Sequence, residues 1–432
     1  MKNCFIAFFS LVLFAVFCII VVKHMSIDTL QNNNQTIKPM ALPKTTFHQS
    51  AEDYNRFAVE SYLKIVGDKN ENNAVFSPYS LSMALEILYA GAENETAAAF
   101  EKILHIPPSD TGEPTNPMLF EYVPMEKEYT EVWSNPPIFL FGNALWYDNK
   151  LKPDTNFAKK MKEHYSLETF PVDFASDATD ITQQMNKWCS ETTQGLIPSL
   201  DPNISPDVAF YLLNTLYFKA HWDYKFQTIN TKDTVFTLAD GKTVKVATMC
   251  DEYTFPYYED EELRALEVPY FSFLKDGDTK EEFGGDFSMV FILPKAIDGI
   301  YALEETLTAE KINSLIKEMN SVSLEVAIPK FRLEQENDLL AILAAEGQSP
   351  GNDFARMFPG ADIPATISAR QKITLGIDEH GTEAAVATEI GYLSLGSEPP
   401  KFIVDHPFLF LIQEQKTGTI LFIGRVMNPT EK

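Results

Sequence analysis

A serine flanked by two glycines is the clearest candidate for catalytic chemistry in this chain of 432 residues. Gly347, Ser349 and Gly351 match the G-x-S-x-G elbow, which presents a nucleophile between a strand and a helix. The context does not fit that elbow, because the preceding run NDLLAILAAEG is typical of a helix and Pro350 blocks the helix that should follow. The sequence therefore predicts a turn at Ser349 and no catalytic residue.

Metal and nucleotide motifs are also absent from the sequence. It contains no H-E-x-x-H, no paired C-x-x-C and no G-x-x-x-x-G-K-[ST]. The acidic run KDGDTKEEFGGD at residues 275–286 lacks the glycine and terminal glutamate spacing of a calcium-binding loop, and it is typical of a solvated surface. These patterns predict neither a metal site nor a cofactor.

The net charge argues against a nucleic acid partner, and the composition indicates a folded core. The chain has 61 acidic against 35 basic residues, and its formal net charge is -26. Nucleic acid binding without sequence preference depends on Lys and Arg that displace counterions, so no nucleic acid partner is expected. With 45% hydrophobic residues, including 32 Phe, the chain can bury a large core.

The first 50 residues are interpreted as targeting material. Residues 5–22 form an uncharged apolar run of 18, a length between the ~7 to 15 of a signal peptide and the ~17 to 25 of a spanning helix. Residues 1–25 are therefore a signal peptide or a signal anchor, and residues 26–50 a flexible polar leader. Both alternatives place the rest outside the cytosol, secreted or tethered to a membrane through residues 5–22. Three N-x-S/T acceptors are compatible with a glycoprotein, at Asn34, Asn94 and Asn203.

Cysteine usage beyond the targeting segment is sparse. Cys189 and Cys250 are the two cysteines that follow it, so a disulfide framework is excluded. The sequence leaves open whether they form one bridge or remain two buried thiols.

Residues 51–432 are predicted to form one large domain with helices and strands. Residues 51–66 carry apolar side chains at helical spacing. Strand-like runs follow, several of them almost continuously apolar: FLFGNALWY, DVAFYLLNTLYF, DFSMVFILP, SVSLEVAIPKF and KFIVDHPFLFLI. A strand buried on both faces gives that signature, so we expect a large sheet covered by helices.

One alternating segment, GTEAAVATEIGYLSLGSEPP at residues 381–400, lies near the C terminus. Its first half is rich in small residues and free of proline. A period of two places one set of side chains on a buried face: Thr382, Ala384, Val386, Thr388, Ile390 and Tyr392. The second half predicts an exposed turn. Taken alone, the segment is an ordinary half-buried strand followed by a loop.

Four separated motifs resemble the serpin family, and the resemblance extends from Tyr54 to Pro429. Residues 73–104 resemble two of its helices, and LLNTLYFKAHWDYKF at 212–226 resembles the strand that leads to the top of its main sheet. IDEHGTEAAVAT at 377–388 resembles the hinge of inhibitory members, and FIVDHPFLFLI at 402–412 resembles the C-terminal signature. The resemblance implies an α+β serpin fold with three β-sheets, eight or nine helices and an exposed reactive-centre loop.

The resemblance also implies a serine protease inhibitor that acts as a suicide substrate and is not an enzyme. In the family, a protease cleaves the loop, forms a covalent acyl-enzyme with it, and is trapped when the loop inserts into the largest sheet, sheet A. The native state is then metastable. A central strand needs small residues and no proline, which the hinge provides: Glu379, Gly381, Thr382, Glu383, Ala384, Ala385, Val386, Ala387 and Thr388. The alternative is a non-inhibitory carrier, chaperone or storage protein, which the composition of the hinge disfavours.

Two groups of residues that gate sheet A are implied by the same resemblance. The breach, at the top of the sheet, contains Trp222, Lys330 and Glu379. The shutter, where two central strands part, contains Ser77, Pro78, Ser80, Asn214 and Gln371. Gln371 stands where the family usually has histidine. Because an amide also donates and accepts hydrogen bonds, we expect gating to persist with an altered pH dependence.

The position of the scissile bond follows from the family's spacing of about fourteen residues after the hinge glycine. Counting from Gly381 gives the bond Leu395 to Gly396, with Leu393 to Ser394 as the alternative. Both bonds present leucine to the protease, which predicts a chymotrypsin-like or elastase-like target. The protein is expected to be a monomer. Heparin binding is not expected, because residues 109–137, where the family can carry a basic helix, are acidic.

Overall fold

A computed structural model describes most of the predicted domain. The described residues are 51–67, 72–106, 138–176, 178–197, 199, 204–271, 287–338, 351–361, 363, 367–382 and 400–431. Several predictions lie outside them: the targeting segment and leader, Ser349, the acidic run 275–286, residues 109–137, and the loop from Glu383 through Leu395 and Gly396. None of the helices in the described ranges is long and apolar enough to cross a membrane.

Seven α-helices occur in the described residues: α1 (Ala51–Val66), α2 (Pro78–Gly91), α3 (Asn94–Ile103), α4 (Thr155–Tyr165), α5 (Ala178–Thr192), α6 (Ile300–Glu305) and α7 (Ala309–Glu318). Helix α2 is buried over its whole length. It begins where its sequence favours a start, because the Ser77 side chain accepts a hydrogen bond from the Ser80 backbone N–H and Pro78 occupies the first turn.

Fifteen strands are described, from two to 17 residues long: β1 (Ala74–Phe76), β2 (Ile138–Asp148), β3 (Leu167–Val172), β4 (Phe210–His221), β5 (Lys232–Thr237), β6 (Thr243–Glu259), β7 (Leu263–Pro269), β8 (Phe287–Pro294), β9 (Asn320–Pro329), β10 (Phe331–Asp338), β11 (Ile367–Asp378), β12 (Gly381–Thr382), β13 (Lys401–Ile403), β14 (Phe408–Glu414) and β15 (Ile420–Val426).

Six of these strands form the sheet that corresponds to sheet A. Their order is β10-β11-β12-β4-β2-β3, and β11 also pairs directly with β4. Strands β11 and β4 run parallel, whereas β12 is antiparallel to both. Every residue of β4 except Lys219 is buried, as its nearly continuous apolar sequence predicts.

The other nine strands form a second sheet, in which the last two described strands, β14 and β15, lie inside the sheet and not at its edge. Its order is β1-β15-β14-β8-β7-β6-β9-β13, and β5 pairs with β6. Both β14 and β15 are fully buried. Helix α1 is attached to them, because Tyr54 Oη donates to the Ile420 carbonyl at 2.8 Å and Asn55 Nδ2 donates to the Gly418 carbonyl at 2.7 Å. The two ends of the domain therefore depend on each other.

The predicted α+β architecture is confirmed, with differences in detail. Three sheets were expected, but the described strands are hydrogen-bonded into two, because the 17-residue strand β6 pairs with β5 and β9 along one part and with β7 near its end. The run NDLLAILAAEG was predicted as a helix, yet its first two residues, Asn337 and Asp338, extend β10. Cys189 and Cys250 are buried free thiols.

A buried ion pair joins α6 to β15. Arg425 Nη1 donates to Glu304 Oε2 at 2.8 Å, with side-chain exposures of 1% and 9%. Tyr62 Oη donates to the other Glu304 oxygen at 2.7 Å. Glu304 thus compensates the charge of a guanidinium that has no access to water.

Replacement of Glu304 by glutamine is expected to lower the free energy of unfolding by about 3–5 kcal/mol, the usual cost of breaking a buried pair. Urea denaturation followed by circular dichroism measures the change. The matched control is Glu310→Gln, whose pair with Arg56 is exposed and should be worth less than ~1 kcal/mol. Similar small shifts in both variants would contradict the prediction.

Candidate functional site

The two parallel strands of sheet A, β11 and β4, are separated by β12 at one end of the sheet. Strands β11 and β4 pair directly over residues 367–373 and 210–216. Beyond these residues, β12 lies between them, with Thr382 opposite Ile377 of β11 and Ala220 of β4. The predicted hinge therefore enters sheet A at the point where the two parallel strands separate.

The first two hinge residues are held tightly in this gap. Gly381 has φ +141°, and a Cβ atom there would lie 2.1 Å from the Ala220 carbonyl oxygen, so glycine is required. Thr382 is completely buried. Its hydroxyl hydrogen-bonds the Tyr270 hydroxyl at 2.8 Å, which satisfies both buried polar groups.

The predicted breach residues come together beside Gly381. Lys330 Nζ donates to Glu379 Oε2 at 2.8 Å, and Thr231 Oγ1 donates to Glu379 Oε1 at 2.7 Å. Burial alone would raise the pKa of Glu379, but the hydrogen bonds from Lys330 and Thr231 outweigh it and hold the pKa below its ordinary value. The carboxylate therefore stays ionised near neutral pH.

Trp222 contacts the same region through both its side chain and its backbone. Its indole Nε1 donates to the Asp378 carbonyl at 2.9 Å, and its ring stacks on that of Tyr270 with centroids 4.6 Å apart. The Trp222 backbone N–H donates to the His380 carbonyl at 2.9 Å. These bonds connect the end of β4 to the turn that leads from β11 into β12.

The predicted shutter residues connect α2 to β4 and to the C-terminal strand β15. Ser77 Oγ donates to the Leu421 carbonyl at 2.8 Å. Ser80 Oγ donates to Asn214 Oδ1, and Asn214 Nδ2 donates to Asn143 Oδ1 on β2 at 2.8 Å. Pro78, which was predicted with them, begins α2 and contributes shape rather than a hydrogen bond.

Gln371 completes the shutter from the opposite strand. It lies directly across from Asn214 in the β11 to β4 register. Its amide donates to the Ser77 carbonyl at 3.0 Å, and its carbonyl accepts from Asn337 Nδ2 of β10 at 3.2 Å. The side chains of this network are neutral, and both polar functions of the Gln371 amide are used.

Sequence reasoning missed several residues that hold the site. They are Asn143 and Asn337 in the shutter, Thr231 at the breach, and Tyr270 beneath Thr382. Asn143 offered a signal, because it is a polar residue inside the apolar run FLFGNALWY and such a residue needs a buried partner. Thr231 and Tyr270 offered none, since their partners are about 110 to 150 residues away.

The remaining predicted sites are only partly described. Asn94 is exposed at the start of α3 with φ +50°, and its Nδ2, the atom that a glycan would modify, donates to Asp353 Oδ2 at 2.7 Å. Asn34, Asn203, the proposed reactive bond and the hinge residues beyond Thr382 lie outside the described residues.

Comparisons with known proteins identify relatives along nearly the whole domain. A family model described as Serpin (serine protease inhibitor) matches residues 52–429. The leukocyte elastase inhibitor of Bos taurus is 32% identical over 395 residues, which cover 87% of this chain and 98% of that protein. Serpin48 of the insect Tenebrio molitor is a similar solved structure, with a TM-score of 0.69, 26% identity, and coverage of 88% and 97%. Human thyroxine-binding globulin has a TM-score of 0.73, 25% identity, and coverage of 88% and 98%.

A histidine at position 371 is expected to make stability pH-dependent. A neutral imidazole can donate to the Ser77 carbonyl and accept from Asn337, but an imidazolium can only donate, so folding should lower the pKa of the new histidine. Gln371→His should then retain its stability above pH ~6.5, the unfolded value, and lose it as the pH falls below that value.

Melting temperatures at pH 8 and pH 5.5, compared with the unmodified protein, test this expectation. Gln184→His is the matched control, because Gln184 is exposed on α5 and bonds only the nearby Asp180 side chain in the described structure. A pH dependence equal to that of the unmodified protein would refute the role assigned to Gln371.

Proposed function

The chain belongs to the serpin family, whose model matches nearly all of its domain, and from this premise we propose that it inhibits a serine protease as a suicide substrate. The serine hydroxyl of the protease would attack the carbonyl carbon of the scissile bond and form an ester while the new amine departs. Insertion of the cleaved loop into sheet A would then trap the ester before water hydrolyses it.

The register of β12 carries this proposal. Gly381 and Thr382 are antiparallel to both neighbours, and β11 and β4 keep one constant register relative to each other. If the ladder continued, residues 383–392 would lie opposite residues 376–367 of β11 and 219–210 of β4. A single strand could therefore pair with both neighbours along its whole length.

The same continuation agrees with the chemistry of the loop. Ala384, Val386 and Thr388 would share the buried face of Thr382, and Thr388 would reach the level of Asn214 and Gln371. The residues of β4 and β11 on this face are fully buried or nearly so: Leu212, Asn214, Leu216, Phe218, Ala369, Gln371, Ile373 and Leu375.

The two carboxylates of the segment would lie on the other face. There Glu383 would be opposite Lys219, and Glu389 would be opposite Arg370. No uncompensated charge would be buried, which removes the largest cost of adding a central strand. Each new backbone hydrogen bond is worth about 0.5–1.5 kcal/mol, so two ladders would make the inserted form more stable than the native, metastable one.

The proposed reactive bond is Leu395 to Gly396, with Leu393 to Ser394 as the alternative. A leucine side chain suits an apolar primary pocket, so the target is a chymotrypsin-like or elastase-like enzyme. The similarity to a protein named leukocyte elastase inhibitor supports this class of target. The similarity to thyroxine-binding globulin keeps a non-inhibitory carrier as the alternative function.

The oligomeric state, location and glycosylation that the sequence predicts are also part of the proposal. The domain of residues 51–432 would act as a monomer outside the cytosol, secreted after removal of residues 1–25 or tethered through residues 5–22. Glycosylation at Asn34, Asn94 and Asn203 fits this location. Activation by heparin is not part of the proposal, because residues 109–137 are acidic and would repel a polyanion.

Mixing the purified protein with chymotrypsin or elastase tests the proposal directly. A band of summed mass on a denaturing gel is expected, because the acyl-enzyme survives denaturation. Mass spectrometry of the released peptide should show a new N terminus at Gly396, or at Ser394 if the alternative bond is cut. Cleavage in this segment without the covalent band would contradict inhibition and favour the carrier.

Thr382→Arg is expected to convert the inhibitor into a substrate. Thr382 is already buried between β11 and β4, so the larger, charged side chain would first displace the hinge from the sheet. Insertion after cleavage would then have to bury the guanidinium beside Tyr270 and Ala220, at a cost of several kcal/mol, so hydrolysis of the ester would win. The measurement is the number of inhibitor molecules consumed per protease molecule, which should rise several-fold. Thr254→Arg, at an exposed position of β6, is the control and should leave that number unchanged. An unchanged value in Thr382→Arg would show that inhibition does not require Thr382 to lie in the sheet.

A further inference from the structure

Two exposed apolar side chains lie close to the breach. Ile229 is 86% exposed on a short 3₁₀-helix (Thr228–Asn230), and Tyr253 is 42% exposed on β6. In the described ranges, the other large hydrophobic residues with comparable exposure are Val235 and Ile297. Single exposed apolar residues are common on protein surfaces. The positions of Ile229 and Tyr253 therefore decide whether they have a role.

The 3₁₀-helix that carries Ile229 is held on both sides. Before it, the Gln227 backbone N–H donates to Asp251 Oδ2 of β6 at 3.1 Å. After it, Thr231 Oγ1 donates to Glu379 Oε1 of the breach at 2.7 Å. Ile229 is thus presented to solvent from a fixed position between β6 and the breach. A fixed backbone loses little conformational freedom when a partner covers it.

The Tyr253 ring is also held in place. It stacks on the ring of Tyr224 with centroids 3.8 Å apart, and it meets the Phe255 ring edge-on with centroids 5.3 Å apart. Tyrosine has few rotamers to lose on binding, and it is enriched among the residues that carry most of the energy of protein interfaces. A fixed and exposed tyrosine therefore has the properties of an interface residue.

Both residues lie near the ends of the segment that carries the proposed reactive bond. The described chain leaves sheet A at Thr382 and resumes at Pro400, whose carbonyl accepts from the Glu325 backbone N–H at 2.9 Å. Glu252, which precedes Tyr253, lies opposite Glu325 in the β6 to β9 register. Adjacent strands are ~4.8 Å apart and consecutive Cα atoms 3.8 Å apart, so Tyr253 lies within about 15 Å of Pro400. The 3₁₀-helix, tied to the breach, lies near the other end.

The proposed scissile bond is within a short reach of Pro400. Leu395 precedes Pro400 by five residues, and five extended residues span at most ~18 Å. A small folded domain is already about 30 Å across, which exceeds this reach. An enzyme whose active site holds Leu395 therefore has part of its surface close to Pro400 and to Tyr253.

On the premise that the chain inhibits a serine protease, we propose that Ile229 and Tyr253 form a second contact surface for that protease, outside its active site. The matching surface on the enzyme is apolar, since the two side chains offer a branched alkyl group and an aromatic ring. The contact forms while the loop is still intact, so it stabilises the encounter complex and raises the rate of cleavage. It adds to the specificity that the leucine of the reactive bond provides.

The test is the second-order rate constant for cleavage of the loop by chymotrypsin and by elastase, measured on the whole protein. For the enzyme that reacts faster, Ile229→Ala and Tyr253→Ala should each lower this constant by about fivefold to tenfold, the usual effect of truncating a residue that carries interface energy. Ile297→Ala is the matched control, because Ile297 is also exposed but lies between β8 and α6. It should leave the constant unchanged, and equal melting temperatures should show that all three variants are folded.

The covalent band on a denaturing gel separates this proposal from the inhibitory function on which it rests. Unchanged rate constants in Ile229→Ala and Tyr253→Ala, with the band still formed, would overturn the second contact and leave inhibition intact. An equal fall in Ile297→Ala would also overturn it. Rate constants that fall in the two variants alone, without any covalent band, would support the contact and contradict inhibition. If neither enzyme cuts the loop, both proposals are wrong.

Discussion

Sheet A depends on how two parallel strands share their backbone hydrogen bonds. Strands β11 and β4 pair with each other at one end of the sheet, and at the other end they pair with the two residues of β12. Backbone donors and acceptors buried away from water need partners. The partner that each backbone group takes therefore decides whether β11 and β4 pair with each other or are separated by β12. The breach residues lie where β12 separates the two strands, and the shutter residues lie where the strands pair.

The two gates use different kinds of bonds. At the breach, the charged pair of Lys330 and Glu379 holds the turn in which the chain leaves β11, and one partner is partly exposed. At the shutter, neutral side chains connect the buried helix α2 to β4 and to β11. Neutral amide and hydroxyl bonds can be exchanged without burying charge. Under the proposed mechanism, in which the sheet opens and closes again, that property is an advantage.

Local patterns predicted the α+β class and the buried strands, whereas the serpin fold was implied by the four separated motifs. Apolar runs marked the buried strands. The hinge was assigned by the resemblance of residues 377–388, and of the hinge residues after His380 only Gly381 and Thr382 lie in the described structure. The partners in the shutter could not be predicted in full, because hydrogen bonds such as that of Asn337 to Gln371 depend on which strands become neighbours. The division into sheets was missed for a similar reason, since β6 changes neighbours along its length.

The location of the last two strands sets an order of events during synthesis. Strands β14 and β15 occupy the interior of the nine-stranded sheet, and the Tyr54 hydroxyl bonds a carbonyl 366 residues later in the chain. Domains generally begin to fold from the N terminus as the ribosome extends the chain. Here helix α1 and β1 have no final place to dock until β15 has emerged. The domain therefore completes its core only after β15 has left the ribosome, and chaperones that protect exposed apolar strands have most to do in that interval.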